Sequence, residues 1–336
     1  MTFEKMKTVA LTVLVLLSMI LTYQLWTYQP DYEPLDRLET VEKVTLASEQ
    51  KLDQVIQPFQ VLFHLEGEHF GSFNLNQFKD VYAFLLDGTF TNLRERTLDF
   101  TQLTHAIDKG KSVEFVYPDG FGMDIFYHVF KFNDREMDLA KVDRILLFDE
   151  EKTNDPTNTK AWFISYDTRR YIEADVTNLT FSTFEEWYHD NQEALLTLMS
   201  KTLANRQAPV YFPAQEVEVH KYQAAYPVPM SEIELTEALF PDPTVVRQSY
   251  TESGVRSYTD GSRELKLFTN AHYLTFINPT RSGDPPAPQQ PVALQAFRFI
   301  NNHGGFTEHF LLSRIRDLPD HKNQIVFRMF FNGYLT

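Results

Sequence analysis

The amino-acid sequence predicts an α+β protein, in which one N-terminal transmembrane helix is followed by extracytoplasmic domains of mixed helix and antiparallel strand. Three observations predict this class. A long uncharged apolar segment stands near the N-terminus, tight-turn signals join short strand patterns, and helical patterns do not alternate with strands in a βαβ rhythm. A chain of 336 residues can bury more than one core, so several domains are expected.

Composition excludes several classes of protein. Hydrophobic residues make up 43% of the chain and charged residues 23%, which argues against a disordered chain. The 31 Lys and Arg against 46 Asp and Glu give a net charge of −15, which repels phosphate backbones and disfavours nucleic-acid binding. Cysteine is absent, so disulfide bonds, cysteine-ligated metal sites and thiol nucleophiles are excluded.

Residues 8–26 predict a membrane anchor. They include no charged side chain, and as a helix they would span about 28 Å, close to the thickness of a bilayer core. Lys5 and Lys7 precede the segment and acidic residues follow it, so the positive-inside rule places residues 1–7 in the cytoplasm and the body outside. The predicted interfacial anchors are Lys5, Lys7, Tyr23, Trp26 and Tyr28.

A cleaved signal peptide is the alternative interpretation of this segment. Cleavage requires small residues just before the cleavage site, after a shorter apolar core. The sequence LTYQLWTYQ at the end of the segment carries bulky side chains instead. We therefore expect an uncleaved anchor and a single-pass protein of the cell membrane.

One face of the predicted anchor is rich in small hydroxylated residues. Its members are Thr8, Thr12, Val15, Met19 and Thr22, with Ser18 alongside. Such residues let two membrane helices approach closely and hydrogen-bond across the contact, so we predict a transmembrane contact face. The alternative is that these hydroxyls bond their own backbone and face lipid. The pattern by itself identifies no partner.

A stalk is predicted at residues 27–57 and a first α+β domain at 58–180. The predicted elements of this domain are a strand at 60–64, helices at 75–86 and 100–109, a strand at 112–117 and a hairpin of strands 161–166 and 171–174. The second helix places Phe100, Leu103 and Ile107 on one face. Pro118-Asp119-Gly120 is interpreted as the turn that closes the strand before it.

A second α+β domain is predicted at residues 181–280, because a helix start stands at its boundary. Ser182 and Glu185, like Thr183 and Glu186, have capping-box spacing. The apolar stripe of this helix is predicted at Phe184, Trp187, Tyr188, Leu195, Leu198, Met199 and Leu203. A helix at 231–239 follows, and then strands at 244–250, 255–259, 263–268 and 273–277, with Asp260-Gly261 as a tight turn.

Four prolines within residues 281–291 predict a stiff, exposed linker before a third domain at 292–336. Helices are predicted at 293–301 and 307–316, and a strand at 324–331. Asn332-Gly333 then predicts a hairpin turn, with three residues left for the return strand. We therefore expect the third domain to be incomplete.

Residues with chemical potential are few. The segment HLEGEH at 64–69 resembles metal-ligand spacing, but no helix places its side chains on one face, and we interpret them as solvated residues near a turn. Glu185 and Glu186 could form an acid–base pair, but their predicted capping positions account for them. No P-loop, GxGxxG, GxSxG or HExxH motif occurs.

One further group flanks the Gly304-Gly305 break and could line a pocket. It consists of His303, Glu308 and His309, for which a buried or capping histidine at a helix start is the expected outcome. The residues therefore predict no catalytic site, no cofactor-binding site and no metal site.

Several longer segments point to a family. The first is the N-terminal TVALTVLVLLSMILTYQLWTYQPDYEPL. The others are GEHFG (67–71) with Glu66 before it, VYPDGF (116–121), SYDTRRYIEA (165–174), YTDGSRELKLF (258–268), LTFINP (274–279), FINNHGGFTEHFLLSRI (299–315) and IVFRMFFNGY (325–334). Together they resemble the YycH family of Gram-positive membrane regulators. Members of that family continue well past the hairpin turn at 332–333, which agrees with an incomplete last domain.

The resemblance implies a non-enzymatic role without a cofactor. YycH proteins sit in the membrane beside YycI and the sensor histidine kinase WalK, also called YycG. They tune the WalK/WalR (YycG/YycF) two-component system that controls cell-wall metabolism, and contacts between transmembrane helices are implied. A cell-wall-binding module and an anchored cell-wall hydrolase are the alternatives. Binding of purified peptidoglycan would favour the first of these, and turnover by the body would favour the second.

Overall fold

The computed structural model describes residues 6–7, 11, 13–19, 21–22, 46–134, 136–149, 159–202, 208–218, 231–251, 254–268, 273–278, 290–319, 322–331 and 333–335. The chain divides into two compact units, Met1–Glu42 and Lys43–Thr336. The described residues of the first unit are helical. The second unit contains every strand and every other helix described here.

A ten-stranded sheet is the main element of the second unit. Its strands are β1 (Gln60–Leu65), β2 (Glu68–Ser72), β3 (Thr89–Thr97), β4 (Lys111–Phe121), β5 (Lys131–Phe132), β6 (Val142–Asp149), β7 (Thr159–Ser165), β8 (Arg170–Thr177), β9 (Leu196–Thr202) and β10 (Pro209–Pro213). Their order across the sheet is β10-β9-β2-β1-β4-β6-β7-β8-β3-β5. The pair β3–β5 is parallel, and the other described pairs of this sheet are antiparallel.

Two smaller antiparallel sheets and a set of short helices complete the second unit. One sheet contains β11 (Arg247–Tyr250), β12 (Val255–Thr259), β13 (Glu264–Phe268) and β14 (Tyr273–Ile277), and the other contains β15 (Phe310–Leu318), β16 (Lys322–Phe331) and β17 (Tyr334–Leu335). The helices are α1 (Leu52–Val55), α2 (Lys79–Asp87), α3 (Phe100–Asp108), α4 (Met123–Phe126), α5 (Phe181–Asn191), α6 (Glu232–Leu239) and α7 (Val292–Asn302). Short 3-10 turns lie at Leu75–Phe78, Gln192–Ala194 and Pro243–Val245.

Both faces of the large sheet are covered. One face contributes Phe63, Phe115 and Phe163 to an aromatic-rich core. Helices α2, α5 and α7 contribute Val81, Leu85, Phe184, Tyr188, Ala293 and Phe297 to the same core. On the opposite face, Leu103 and Ile107 of α3 pack with other apolar side chains of the sheet. The central strands are therefore buried on both sides, and a polar side chain on them needs a partner.

Most of the predicted elements are present, and the mixed α+β class of the body is confirmed. Strands occupy the positions predicted at 60–64, 161–166, 171–174, 255–259, 263–268, 273–277 and 324–331, and helices occupy those at 100–109, 231–239 and 293–301. The helix predicted at 75–86 begins as a 3-10 turn and continues as α2. The hairpin predicted at 332–333 is also present, because Phe331 pairs with Tyr334.

The helix predicted from Ser182 to Leu203 is wrong in its second half. Helix α5 ends at Asn191, and Leu196–Thr202 is strand β9. Leu198 of this strand packs with Leu62 of the sheet, whereas Met199 is exposed. The apolar residues after 194 therefore follow the alternation of a strand, and a helical period fitted the same few residues equally well.

The predicted capping boxes at the start of this helix are also wrong. Helix α5 begins at Phe181 after Thr180, so Ser182 and Thr183 lie inside the helix and not at its cap. Glu185 instead accepts a hydrogen bond from Lys111 Nζ at 2.8 Å.

Two further local predictions are wrong for related reasons. The helix predicted at 307–316 is largely strand β15, in which the adjacent Leu311 and Leu312 are both buried, in different clusters. Where successive residues of a strand are buried, apolar and polar residues do not alternate along the sequence, so the strand cannot be recognised by its period of two. The turn predicted at Pro118-Asp119-Gly120 is a bulge within β4, where Gly120 has a φ of 71°.

The predicted division into domains stays a prediction. The large sheet includes β9 and β10, which follow the boundary predicted at residue 181. Val55 and Ile56, at the end of the predicted stalk, are buried in the core. Residues 281–289 of the predicted linker lie outside the described residues.

The aromatic core provides a direct test of this fold. The ring of Phe163 lies 5.1 Å from that of Phe90 and 5.7 Å from that of Phe132. Phe163→Ala should lower the free energy of unfolding by about 3–5 kcal/mol, because it leaves a cavity in a packed core. Phe212→Ala on β10, where the side chain is 40% exposed, should cost less than about 1 kcal/mol. Denaturant unfolding measures both, and equal losses would contradict this placement of the core.

Candidate functional site

The predicted transmembrane contact face is described in part. Val15, Ser18, Met19 and Thr22 are helical, as is Lys7. The remaining predicted residues, Thr8, Thr12, Lys5, Tyr23, Trp26 and Tyr28, lie outside the described residues. Within the part of the chain that the structure describes, none of the helices combines the length and the apolar character needed to cross a bilayer.

Thr22 satisfies its hydroxyl within its own helix. Its Oγ1 donates a hydrogen bond to the carbonyl oxygen of Ser18 at 2.8 Å. Thr22 therefore matches the alternative interpretation of this face, in which the hydroxyls bond the backbone of their own helix. The hydroxyl oxygen can still accept a hydrogen bond, and the side chain stays small enough for another helix to approach.

A second candidate site lies inside the large sheet, where the β1–β2 hairpin brings two histidines together. Glu66 and Gly67 have φ values of 50° and 93°, the positive values of a two-residue hairpin turn. This turn places His64 directly opposite His69, with their Nδ1 atoms 2.9 Å apart. His64 is fully buried, because β1 is a central strand with both faces covered.

Glu114 and Arg144 extend this pair into a buried charged network. Glu114 on β4 lies 3.1 Å from His64 Nε2 and accepts a hydrogen bond from Arg144 Nη1 at 2.7 Å. Arg144 on β6 also donates from Nη2 to the carbonyl oxygen of Pro209 at 2.6 Å. The guanidinium carbon lies 5.5 Å from the ring of Tyr166 and 6.0 Å from that of Tyr211, within reach of cation–π attraction.

Electrostatics fix the protonation of this network. Burial opposes ionisation of Glu114, but Arg144 and the hydrogen bond from His64 outweigh burial and hold the pKa of Glu114 at about 2. Burial also works against the charge of Arg144, yet Glu114 raises the pKa of Arg144 above its usual value. A carboxylate can only accept hydrogen bonds, so His64 Nε2 must be the donor to Glu114.

His69 and the two tyrosines are held in their neutral forms. Burial lowers the pKa of His69, and the neighbouring His64 lowers it further, while Asp108 and Glu114 partly oppose the shift. Burial raises the pKa of Tyr166 and of Tyr211. At neutral pH Glu114 and Arg144 therefore form a buried ion pair, and His64 lies between Glu114 and the neutral His69.

The interpretation of residues 64–69 as solvated is wrong for both histidines. Glu66 and Glu68 are exposed as expected, but His64 and His69 are buried. Reading Glu66-Gly67 as a two-residue hairpin turn would have paired the histidines from the sequence. Glu114 and Arg144 were not predicted as site residues. The signal for them is a charged residue within an apolar strand pattern, Glu114 inside SVEFVY and Arg144 directly before ILLF.

The other sequence candidates lie apart from this network. His303 follows the end of α7, where its Nδ1 lies 2.8 Å from the carbonyl oxygen of Phe299. His309 Nε2 lies 3.2 Å from the carbonyl oxygen of Gln54, and the His309 ring makes an edge-to-face contact with Phe330. Neither stands at a helix start as predicted. Among the described residues, no group of three or more His, Asp or Glu is arranged to hold a metal ion.

Breaking the buried ion pair should be costly. Glu114→Gln leaves the Arg144 charge uncompensated in the sheet, and we expect it to lower the free energy of unfolding by about 3–5 kcal/mol. Glu173 provides the matched control, because it forms a more exposed pair with Arg96 at 3.9 Å on the same sheet. Glu173→Gln should cost less than about 1 kcal/mol. Similar losses in the two variants would show that burial of the pair is not what matters.

His69 should make the protein less stable in mild acid. The pKa of His69 is lowered in the folded state from its ordinary value of 6.5. As the pH falls through that value, the unfolded chain therefore binds a proton at His69 more readily than the folded chain does. The free energy of unfolding should therefore decrease from pH 7.5 to pH 5.5, about one unit either side of that value. His69→Gln cannot take up this proton and should flatten the decrease. An unchanged slope in the variant would refute the assignment.

Comparison with known proteins identifies the family of this chain. The family model described as "YycH protein, N-terminal domain" matches residues 4–193, and "YycH protein, C-terminal domain" matches residues 207–336. The "Two-component system WalR/WalK regulatory protein YycH" of Bacillus subtilis (strain 168) is 20% identical over an alignment of 325 residues that covers 94% of this chain and 70% of that protein.

A solved structure agrees with the fold. The crystal structure of YycH from Bacillus subtilis matches with a TM-score of 0.70 at 17% identity, over 87% of this chain and 74% of the other. The two family models together span nearly the whole sequence. The chain therefore belongs to the YycH family.

Proposed function

We propose that this chain is a non-enzymatic, membrane-anchored regulator of a WalK-like (YycG-like) sensor histidine kinase that controls cell-wall metabolism. It acts through contacts of its transmembrane helix and of its extracytoplasmic body, together with a YycI-like membrane partner. The observation that carries the proposal is membership of the YycH family over residues 4–193 and 207–336. The Bacillus subtilis relative, which is named as a regulatory protein of WalR/WalK, supplies the two-component system.

The residues support a regulator in preference to an enzyme. The buried network of His64, Glu114 and Arg144 has the residue types of an acid–base site, but these groups are hydrogen-bonded to one another. Arg144 holds the pKa of Glu114 at about 2, too low for a general base near neutral pH. Such a network orders the sheet, which is the role expected in a protein that works by contact.

The N-terminal segment supplies the proposed route of signalling. Lys5 and Lys7 before an uncharged segment favour a cytoplasmic N-terminus and an extracytoplasmic body. The helical residues Val15 and Met19 are exposed, so their side chains are accessible to a neighbouring helix. Small residues on the same face permit close helix packing.

Substitutions on the two faces of this helix test the proposal. Thr12→Leu combined with Thr22→Leu keeps the segment hydrophobic but fills the sites of close approach. We expect this double variant to weaken association with the kinase about tenfold and to change WalR-dependent transcription. Co-purification from membranes and a WalR reporter gene measure the two effects.

The opposite face provides the control. Leu14→Ile combined with Leu21→Ile changes shape without changing hydrophobicity and should leave association and reporter output unaltered. If both double variants behave alike at matched expression, the helix is only a tether, and regulation must be assigned to the body of the protein.

A further inference from the structure

A cavity of about 590 Å³ lies beside Arg144, between β4, β6, the β7–β8 turn and β10. Its walls include Phe59, Gln60, Arg144, Tyr166 and Tyr211. This volume falls within the range of about 300–1,000 Å³ that is typical of small-molecule sites. Arg144 of the buried charged network forms part of one wall of the cavity. Its hydrogen bonds to Glu114 and to the carbonyl oxygen of Pro209 hold this part of the wall in place.

Among the described residues that line this cavity, Gln60, Tyr117 and Tyr166 each carry an unpartnered polar group, and Tyr117 packs into the aromatic core. Tyr166 Oη and Gln60 Nε2 are buried, and neither makes a hydrogen bond within the part of the chain that the structure describes. Both side chains belong to residues that are 5% exposed. Buried polar groups in native proteins are nearly always paired, and an orphaned one costs about 1–3 kcal/mol. A ligand that offers oxygen atoms to these two groups would remove that cost.

The charged residues that line the cavity balance in sign, because Lys141, Arg144 and Arg169 are basic and Asp119, Asp143 and Asp167 are acidic. Lys141 lies 3.4 Å from Asp143 and 2.8 Å from Asp167, and Arg144 is paired with Glu114. A charged ligand would therefore disturb existing pairs, whereas a neutral ligand would leave them intact. The rings of Phe59, Tyr166 and Tyr211 add apolar surface next to these polar groups.

We propose that this cavity binds a neutral saccharide, with Tyr166 Oη and Gln60 Nε2 as its hydrogen-bonding groups. A sugar presents hydroxyl groups that both donate and accept, which suits a phenol and an amide, and it presents C–H surface that suits aromatic rings. The site is formed by residues of the second unit, and the proposal does not depend on the proposed regulatory role.

The test uses the full chain in a zwitterionic detergent without a sugar headgroup, and the probe is the tetrasaccharide of N-acetylglucosamine. Calorimetric titration should show saturable binding to the unaltered chain. Tyr166→Phe keeps the ring and removes the hydroxyl, so it should weaken binding about 3- to 10-fold. The same variant should unfold at an unchanged or higher temperature, because it removes an orphaned polar group.

Tyr171→Phe is the matched control. Tyr171 is a buried tyrosine on β8 that packs in the same apolar cluster as Tyr166 but does not line the cavity, and its variant should bind the tetrasaccharide as the unaltered chain does. Absence of saturable binding, or equal affinities of the two variants, would overturn the proposal. Binding of a neutral tetrapeptide such as acetylated tetra-alanine amide, without binding of the saccharide, would overturn it in favour of a peptide site.

Discussion

Glu114 and Arg144 are two charges that the large sheet cannot bury separately. Each is at least nine-tenths buried, and the free energy of leaving either one unpaired would be several kcal/mol. Their bond joins β4 to β6, and the second bond of Arg144 to the carbonyl of Pro209 joins both to β10. This bond holds the β9–β10 hairpin against β6. Tyr211 of the hairpin packs against the rings of both histidines. Arg144 and Tyr211 also line the cavity.

Much of this fold could be predicted from the sequence, for reasons that individual elements make clear. Helix α3 shows a clean helical stripe, and β12–β13 carries the strong turn signal Asp260-Gly261, so both were found. The elements that were missed have ambiguous patterns. Residues 311–313 of β15 are buried one after another, so no period of two is visible there, and the apolar residues of β9 fit either period. The charged network was missed because its members are distant in sequence, and only strand pairing brings Glu114 beside Arg144.

The body and the N-terminal segment support different parts of one account. The body is an acidic protein whose buried charges are engaged with one another, which leaves its outer surface and the cavity for binding. The N-terminal segment carries small hydroxylated residues among apolar ones, and the hydroxyl of Thr22 is already bonded within its helix. Because this hydroxyl already donates within its own helix, contact with a partner helix would rest more on close packing than on new hydrogen bonds.

Site-specific photo-crosslinking in intact membranes tests the proposed regulation most directly. A photoreactive residue at position 15 or 19 lies on the proposed contact face, and one at position 14 or 21 lies on the opposite face of the same helix. The account predicts crosslinks to the sensor kinase or to its YycI-like partner from positions 15 and 19, and few from positions 14 and 21. Equal crosslinking from both faces, or none from either at normal expression, would contradict a specific transmembrane contact.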